Sequence, residues 1–310
     1  MVTFTKLFVI RIVANKRSLL SSRLLIFSSE GCFLSAIAFR SDGEREKKAI
    51  SEADLVIAVG ARFSDRVALN PKTFAKNATI IQIDIDPSEL GKNVDVDLAI
   101  AGDVCYVLSG MLPLIEEKKH PDWMKMIHEW QAQDYHPVSD PTRLMPHQVI
   151  GEVCSQCGPE AVYVTDVGQH QMWAAQYLRH TKSRGFITSG GLGTMGFGLG
   201  AAIGAATGTG TKTVLITGDG SFGMNLNELA TAVSNQTPVV IFIMNNGVLG
   251  MVRQWQTLFF QKHYSNTTLN RKTDFVKLAE AFGLPGLRAA SLPELKEVLQ
   301  QAAAIDGPAL

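Results

Sequence analysis

The 310-residue chain lacks most signals that assign a protein by composition alone. It has no excess charge: 29 basic side chains balance 29 acidic ones, and no basic stripe points to nucleic acid. It has little cysteine. Cys32, Cys105, Cys154 and Cys157 form no secreted disulfide framework, so a reduced, cytoplasmic protein is the default. Cys154 and Cys157 make one C-x-x-C on a predicted helix, without the second pair or histidine that a metal site needs. His120, His128, His136 and His147 share no ligand spacing. Within residues 1–40, charges interrupt every apolar run short of the roughly 18 residues of a membrane span. No G-x-G-x-x-G is read behind a predicted strand, which disfavours a nicotinamide dehydrogenase.

What is present is a globular composition, 46% hydrophobic and 19% charged, with length enough for two domains. The most informative stretch is Thr213–Gly250. Thr213–Thr217 reads as a strand broken by Gly218-Asp219-Gly220. A helix follows, with Leu226, Leu229, Ala230 and Val233 on one face and Asn225/Glu228 spaced as a capping box. Val239–Met244 is a second strand, ended by Asn245-Asn246-Gly247. Strands joined by one short helix usually lie side by side, with their ligands at the carboxyl edge. Asp219 and Asn246 then converge beside a glycine turn that can offer N–H groups to phosphate, a setting suited to Mg²⁺. An ordinary βαβ unit, with Asp and Asn as turn formers, is the plainer alternative.

The wording G-D-G-S-F…N-N resembles the diphosphate signature of thiamine-diphosphate enzymes. NELATAVSNQTPVVIFIMNNGVLGMVRQWQ is similar, more narrowly, to the large catalytic subunit of acetolactate (acetohydroxyacid) synthase. D-V-G-Q-H-Q-M-W and the G-L-G-x-M-G-x-G-L segment of Ser189–Thr207 resemble the same family. The family usually has proline where this chain has Gly200, which loosens the start of that helix. The resemblance implies Asp219, Asn246 and the Val248 carbonyl as Mg²⁺ ligands. It places Gln169, His170, Gly220 and Ser221 on the diphosphate and Met224 in the cofactor pocket. Met195 would hold the cofactor bent, Gly193 would receive its aminopyrimidine, and Trp255 would shape the acceptor pocket. The implied reaction is a transferase reaction of branched-chain amino-acid biosynthesis, serving isoleucine and valine. Pyruvate is decarboxylated and its hydroxyethyl group passes to a second 2-ketoacid, pyruvate or 2-ketobutyrate. Pyruvate oxidase, glyoxylate carboligase, a flavin-independent synthase or a non-catalytic binding fragment are alternatives.

Upstream, Leu55–Val59, Thr79–Ile85 and Val96–Ile100 read as strands of a parallel sheet. G-A-R-F-x-D-R and I-D-I-D-P-x-E resemble the family's FAD segments. They imply Arg62 and Arg66 on the nucleotide, Asp65 nearby, and Asp84 and Asp103 on the adenosine side of a structural FAD. Residues 1–41 look unrelated to the family. They are read as a frameshift or wrong start, with a basic organellar presequence as the alternative. The expected architecture is α/β: two three-layer αβα domains with mainly parallel sheets. Residues 42–120 form part of a central FAD-type domain, 121–145 a linker whose helix packs on the next domain, and 146–310 the diphosphate-binding domain. The resemblance also implies a homodimer or tetramer, a possible small regulatory subunit and no membrane. It places the glutamate that activates the cofactor in a pyrimidine-binding domain not found here, so these 310 residues are expected to be inactive alone.

Overall fold

The computed structural model describes residues 24–28, 44–63, 68, 70–115, 120–132, 140, 143–182 and 184–310. Contacts divide the chain into two units, Met1–His136 and Pro137–Leu310.

The first unit carries β1 (Leu24–Ser28), α1 (Glu44–Glu52), β2 (Leu55–Val59), β3 (Thr79–Asp84), β4 (Leu98–Ala101), α2 (Val104–Met111) and α3 (Pro121–Ala132). The strands form one parallel sheet in the order β1-β2-β3-β4. β2 is apolar throughout because both its faces are covered. Val56 and Ala58 pack with Phe63, Ala75 and Ile80, while Leu55 and Ile57 pack with Ile81 and Ile83. β1 lies inside the segment whose composition looks unrelated to the rest, yet it pairs with β2 from Leu24↔Leu55 to Ser28↔Val59. The amphipathic helix α3 also finds its partner within this unit. Trp123 and Ile127 bury against Ala49 of α1, with Trp130 edge-on to Trp123 at 5.7 Å.

The second unit comprises α4 (Pro146–Cys157), β5 (Val162–Thr165), α5 (Gln169–Tyr177), β6 (Phe186–Thr188), α6 (Phe197–Thr209), β7 (Thr213–Gly218), α7 (Asp219–Phe222), α8 (Leu229–Ser234), β8 (Val239–Met244), α9 (Gly250–Phe259), α10 (Phe275–Phe282) and α11 (Leu292–Ala304). Its parallel sheet runs β6-β5-β7-β8. Alternate residues of each strand feed opposite layers. Val164, Leu215 and Ile241 meet Leu199, Ala202, Leu229 and Ala279 on one side. Tyr163, Val214 and Ile216 meet Ile150, Val153, Leu295 and Leu299 on the other. This is the expected three-layer αβα arrangement. Lys212 closes the far end, its Nζ donating to the Ala303 and Ile305 carbonyls at 2.6 and 2.7 Å where α11 stops.

β7 and β8 do lie side by side, Thr213↔Val239 through Gly218↔Met244. Two local expectations within that unit fail. The turn after Gly218 is a short helix, α7. The capping box does not form. Asn225 makes no side-chain cap, and Glu228 instead accepts from the Thr231 hydroxyl at 2.7 Å and the Asn227 amide at 3.1 Å. A 3₁₀ turn, Leu226–Glu228, therefore leads into a brief α8.

Helix α6 gives a direct test. A Cβ at exposed Gly200 would meet nothing within 4 Å, so Gly200→Ala should raise stability by about 0.5–1 kcal/mol. At buried Gly198 a Cβ would stand 2.8 Å from Leu215 and 2.9 Å from Asp166. Gly198→Ala should cost roughly 1–3 kcal/mol. Urea titrations of the two variants check this, and the reverse order would refute the packing described for α6.

Candidate cofactor site

The parallel crossovers of the second unit bring the ends of β5, β7 and β8 to one edge of the sheet. A recess opens there, lined among others by Val167, Gln169, His170, Met195, Asp219, Gly220, Ser221, Asn246, Val248 and Leu249. Eight of the residues implied by the sequence thus meet in one place: Gln169, His170, Met195, Asp219, Gly220, Ser221, Asn246 and Val248.

Asp219 and Asn246 follow the paired ends of β7 and β8. Asp219 is 5% exposed, and burial pushes its carboxyl above the usual carboxylate range. Its Oδ2 accepts from the Gly247 N–H at 3.1 Å, while Asn246 Oδ1 accepts from Val248 N–H at 3.1 Å. Among the described residues no group of three or more His, Cys, Asp or Glu is placed to hold a metal. An ion between Asp219 and Asn246 would therefore have one protein carboxylate. It would complete its shell with an amide, a backbone carbonyl, phosphate and water, which is how Mg²⁺ is commonly held.

His170 opens α5 directly beneath this loop. Its ring sits between two glycines, since a Cβ at Gly168 or at Gly218 would fall within 2.9 Å of it. The ring donates to the Asp166 carbonyl, and Nε2, buried in the wall of the recess, has no protein partner. An unpartnered buried nitrogen is costly unless a ligand serves it. Gln169 lies across Gly250, where a Cβ would overlap its amide, and donates to Gln254 Oε1 at 3.3 Å.

The residues fit thiamine diphosphate with Mg²⁺ in their donor types, but two of the implied phosphate donors, Ser221 and Gly220, are engaged within the protein. Ser221 Oγ already donates to the Val167 carbonyl at 2.5 Å, and the Gly220 N–H turns to the Asp219 carboxyl. Leu249 covers Gly220 so closely that a Cβ there would be 2.6 Å from its Cδ2.

Other implied residues lie outside the recess lining. Gly193 is exposed, at φ +72°. Met224 is 57% exposed and its Cβ packs beside Gly196. Trp255 is 43% exposed on α9, edge-on to Phe259 at 5.6 Å. In the first unit, Gly60 at φ +57° follows β2, Asp84 ends β3 and Asp103 follows β4 on the same sheet edge. Asp84 accepts from the Asp86 N–H at 2.9 Å, and Asp103 caps α2 through the Tyr106 N–H at 2.9 Å. Arg62 is exposed. Asp65 and Arg66 lie outside the described residues.

The strand β6 was not read from the sequence, and it corrects one inference. Gly191-Leu192-Gly193-Thr194-Met195-Gly196 is a G-x-G-x-x-G spacing, and it does run from a strand, β6, into a helix, α6. It is still no dinucleotide site. The N–H groups of Gly196 and Gly198, which would receive phosphate, donate to the buried Asp166 carboxylate at 2.9 and 3.3 Å. The C-x-x-C is inert: burial raises both thiols, Cys157 to about 11.

Sequence reasoning missed Asp166 and the brace beneath the Asn246 loop. Leu249 N–H donates to Thr267 O at 2.8 Å and Leu269 N–H to Gly247 O at 2.7 Å, and Arg271 reaches the Asp219 carbonyl at 3.4 Å. Gln256 folds that brace back, accepting from Ser265 N–H and Thr267 Oγ1. Only the Gln256 position, inside the Q-W-Q wording, carried any signal.

Residues 166–310 match the thiamine pyrophosphate enzyme C-terminal TPP binding domain, and residues 26–111 match the central domain of the same enzymes. The chain belongs to the thiamine pyrophosphate enzymes. The central-domain match begins within residues 1–41, where β1 also lies. Similar relatives include the acetolactate synthase of Mycobacterium bovis, 44% identical over 272 residues, 83% of this chain and 44% of the relative. The large subunit of acetolactate synthase isozyme 2 of Escherichia coli is 45% identical over 267 residues, 84% and 48% of the two chains. The large subunit of Cyanidium caldarium is 42% identical over 274 residues, 84% and 46%. The chain spans somewhat less than half the length of these relatives. Over 83–84% of its own length it is similar to these acetolactate synthase chains.

Burial lowers His170 to about 4, whereas the ring titrates near 6.5 when exposed. The folded state keeps a neutral ring while the unfolded chain takes up a proton, so stability present above pH 6.5 is lost as pH falls toward about 4. Between pH 7 and pH 5 this one group should cost the wild type about 2 kcal/mol more than it costs His170→Gln. Chemical denaturation at the two pH values measures the difference. Equal pH slopes would show that the ring is not buried neutral.

Proposed function

We propose that the second unit binds thiamine diphosphate through Mg²⁺ held by Asp219, Asn246 and the Val248 carbonyl, with Gln169 donating to the diphosphate and His170 facing it through Nε2, which donates once the diphosphate charge draws a second proton onto the ring. The observation that supports this most is one recess in which hard-oxygen side chains from adjacent strand ends stand beside a buried, unpartnered imidazole nitrogen. Bound there, thiamine diphosphate supplies the carbanion chemistry by which a 2-ketoacid loses CO₂ and its remaining two-carbon unit is transferred to a second 2-ketoacid. The protein residues bind the diphosphate end, bring Met195 against the cofactor and wall the recess from water with Leu249 and Trp173.

The substrate class follows from the acetolactate synthase names of the relatives: pyruvate as donor, and pyruvate or 2-ketobutyrate as acceptor. Trp255, exposed on α9, is the residue we assign to the acceptor side. The first unit offers a sheet edge with Gly60, Asp84 and Asp103 that suits the adenosine end of a structural FAD. Asp84 and Asp103 retain carboxylate oxygens for ribose hydroxyls beyond the one N–H that each is shown to accept. The working enzyme is a homo-oligomer that completes this half-site with a pyrimidine-binding domain and takes a small regulatory subunit.

Isothermal titration of the 310-residue chain with thiamine diphosphate should show binding that requires Mg²⁺ and is lost with EDTA. Asp219→Ala should weaken it at least about 100-fold, the loss expected when a lone charged metal ligand is removed. The same chain alone should decarboxylate pyruvate negligibly. Tight binding without Mg²⁺, or full affinity in Asp219→Ala, would refute the metal assignment. Turnover at the rate of a complete enzyme would refute the half-site.

A further inference from the structure

We propose that Asp166 is a positioning residue. Its carboxylate occupies the N-terminus of α6 in place of a phosphate and fixes the Gly193–Gly196 turn, and with it Met195, against the cofactor recess. The inference rests on the thiamine reading of that recess and adds a residue whose side chain does not line it.

The four N–H groups of a helix's first turn have no partners within the helix and need acceptors from elsewhere. In α6 the N-cap is Gly196, which has no side chain to serve them. Asp166, thirty residues earlier at the end of β5, supplies the acceptor instead. Its Oδ1 accepts from Gly196 N–H at 2.9 Å and its Oδ2 from Gly198 N–H at 3.3 Å. The same Oδ1 accepts from Val167 N–H at 2.8 Å, and the Thr217 hydroxyl of β7 lies 3.5 Å from Oδ2. The group is 1% exposed, and its four neighbours are all donors. A buried carboxylate so served is held in one place.

One oxygen thereby ties two walls of the recess together. Val167 belongs to the wall that leads into Gln169 and His170. Gly196 follows Met195, whose Cε lies 3.9 Å from where a Cβ of Gly220 would stand. Gly196 is also gripped from the other side, its carbonyl accepting from Asn225 Nδ2 at 3.4 Å. It sits at φ +87°, a conformation that favours glycine, and a Cβ there would meet Met224 at 3.2 Å. The approach of α6 to Asp166 depends on Gly198, which leaves no room for a side chain. None of the diphosphate and metal groups, Asp219, Asn246, Gln169 and His170, is shown hydrogen-bonded to the Asp166 carboxylate, and His170 bonds the Asp166 backbone carbonyl, which a side-chain substitution leaves in place. Asp166→Asn would therefore act mainly on the Gly196 side of the recess, since it keeps the Oδ1 acceptor for Val167 and loses the one for Gly198.

This asymmetry makes the role testable. Asp166→Asn keeps an oxygen for Val167 and Gly196 but turns an NH₂ toward the Gly198 N–H, donor against donor. The 310-residue variant and wild type are titrated calorimetrically with thiamine diphosphate plus Mg²⁺ and, separately, with inorganic diphosphate plus Mg²⁺. Asp166→Asn should weaken thiamine diphosphate at least 10-fold and inorganic diphosphate less than 2-fold. Asn225→Ala, which releases the other side of Gly196, should show the same selectivity at about 3-fold. Equal losses for both ligands would mean a merely structural carboxylate, and an unchanged thiamine diphosphate affinity would also overturn the proposal. Should Asp166→Asn not fold, Asn225→Ala and the wild type carry the test. In the wild type the Gly196 and Gly198 amides should exchange with deuterium at least 100-fold slower than in an unfolded peptide. Exchange at the peptide rate would overturn the contact. A wild type that fails to bind thiamine diphosphate would sink the function proposed above, whereas wild-type binding with unaltered variants sinks this inference alone.

Discussion

Two acids, Asp166 and Asp219, stand at the ends of the neighbouring strands β5 and β7, and both are almost wholly buried. A carboxylate taken out of water must be met by donors or cations, and how each is met decides what this edge of the sheet can do. Asp166 is met by the chain itself: three backbone N–H groups and a threonine hydroxyl converge on it. Asp219 is met in part. The Gly247 and Gly220 N–H groups serve it, Arg271 approaches its backbone, and the carboxylate still faces a recess. The satisfied acid organises and the partly satisfied one is left to bind. Burial moves both groups in the same direction, so the difference lies in their partners and not in their depth.

Close approach is the second constraint, and glycine grants it at the points where functional side chains must lie against backbone. His170 fits between Gly168 and Gly218, Gln169 lies on Gly250, and Arg271 reaches past Gly223 to the Asp219 carbonyl. Gln169 and His170, which follow β5, thereby reach Gly250 beyond β8 and Gly218 at the end of β7, so these glycines record the tertiary arrangement of the recess. At Gly200, Gly204 and Gly208, spaced along α6, an added Cβ would meet nothing within 4 Å, and these glycines record no such arrangement.

The βαβ unit was legible because its signals are local. β8 spans the residues that its apolar run marks, and its parallel pairing with β7 is what a short helical crossover favours. With the pairing came the juxtaposition of Asp219 and Asn246. What stayed hidden depends on distant residues or on elements too short to carry a pattern. β6 has three residues, so the strand ahead of the glycine turn was invisible and the turn looked detached from any sheet. Asp166 looked like another strand-end acid, because its partners are 30 and 51 residues away. The capping box failed for the opposite reason. The motif was local, but two equally local donors, Asn227 and Thr231, captured Glu228.

The first unit shows the same physics with another outcome. Asp84 and Asp103 also stand at the ends of parallel strands, but each accepts from an N–H two or three residues ahead and stays near the surface. Such acids are made by local turn geometry and would exist in any βα unit. A nucleotide could use their remaining oxygens, but the fold does not need one to satisfy them. In the second unit the His170 Nε2 is buried with no hydrogen-bond partner, and Asp219, served by backbone N–H groups, also lines the recess. A ligand in that recess would satisfy a buried nitrogen, whereas Asp84 and Asp103 offer an edge on which one can rest.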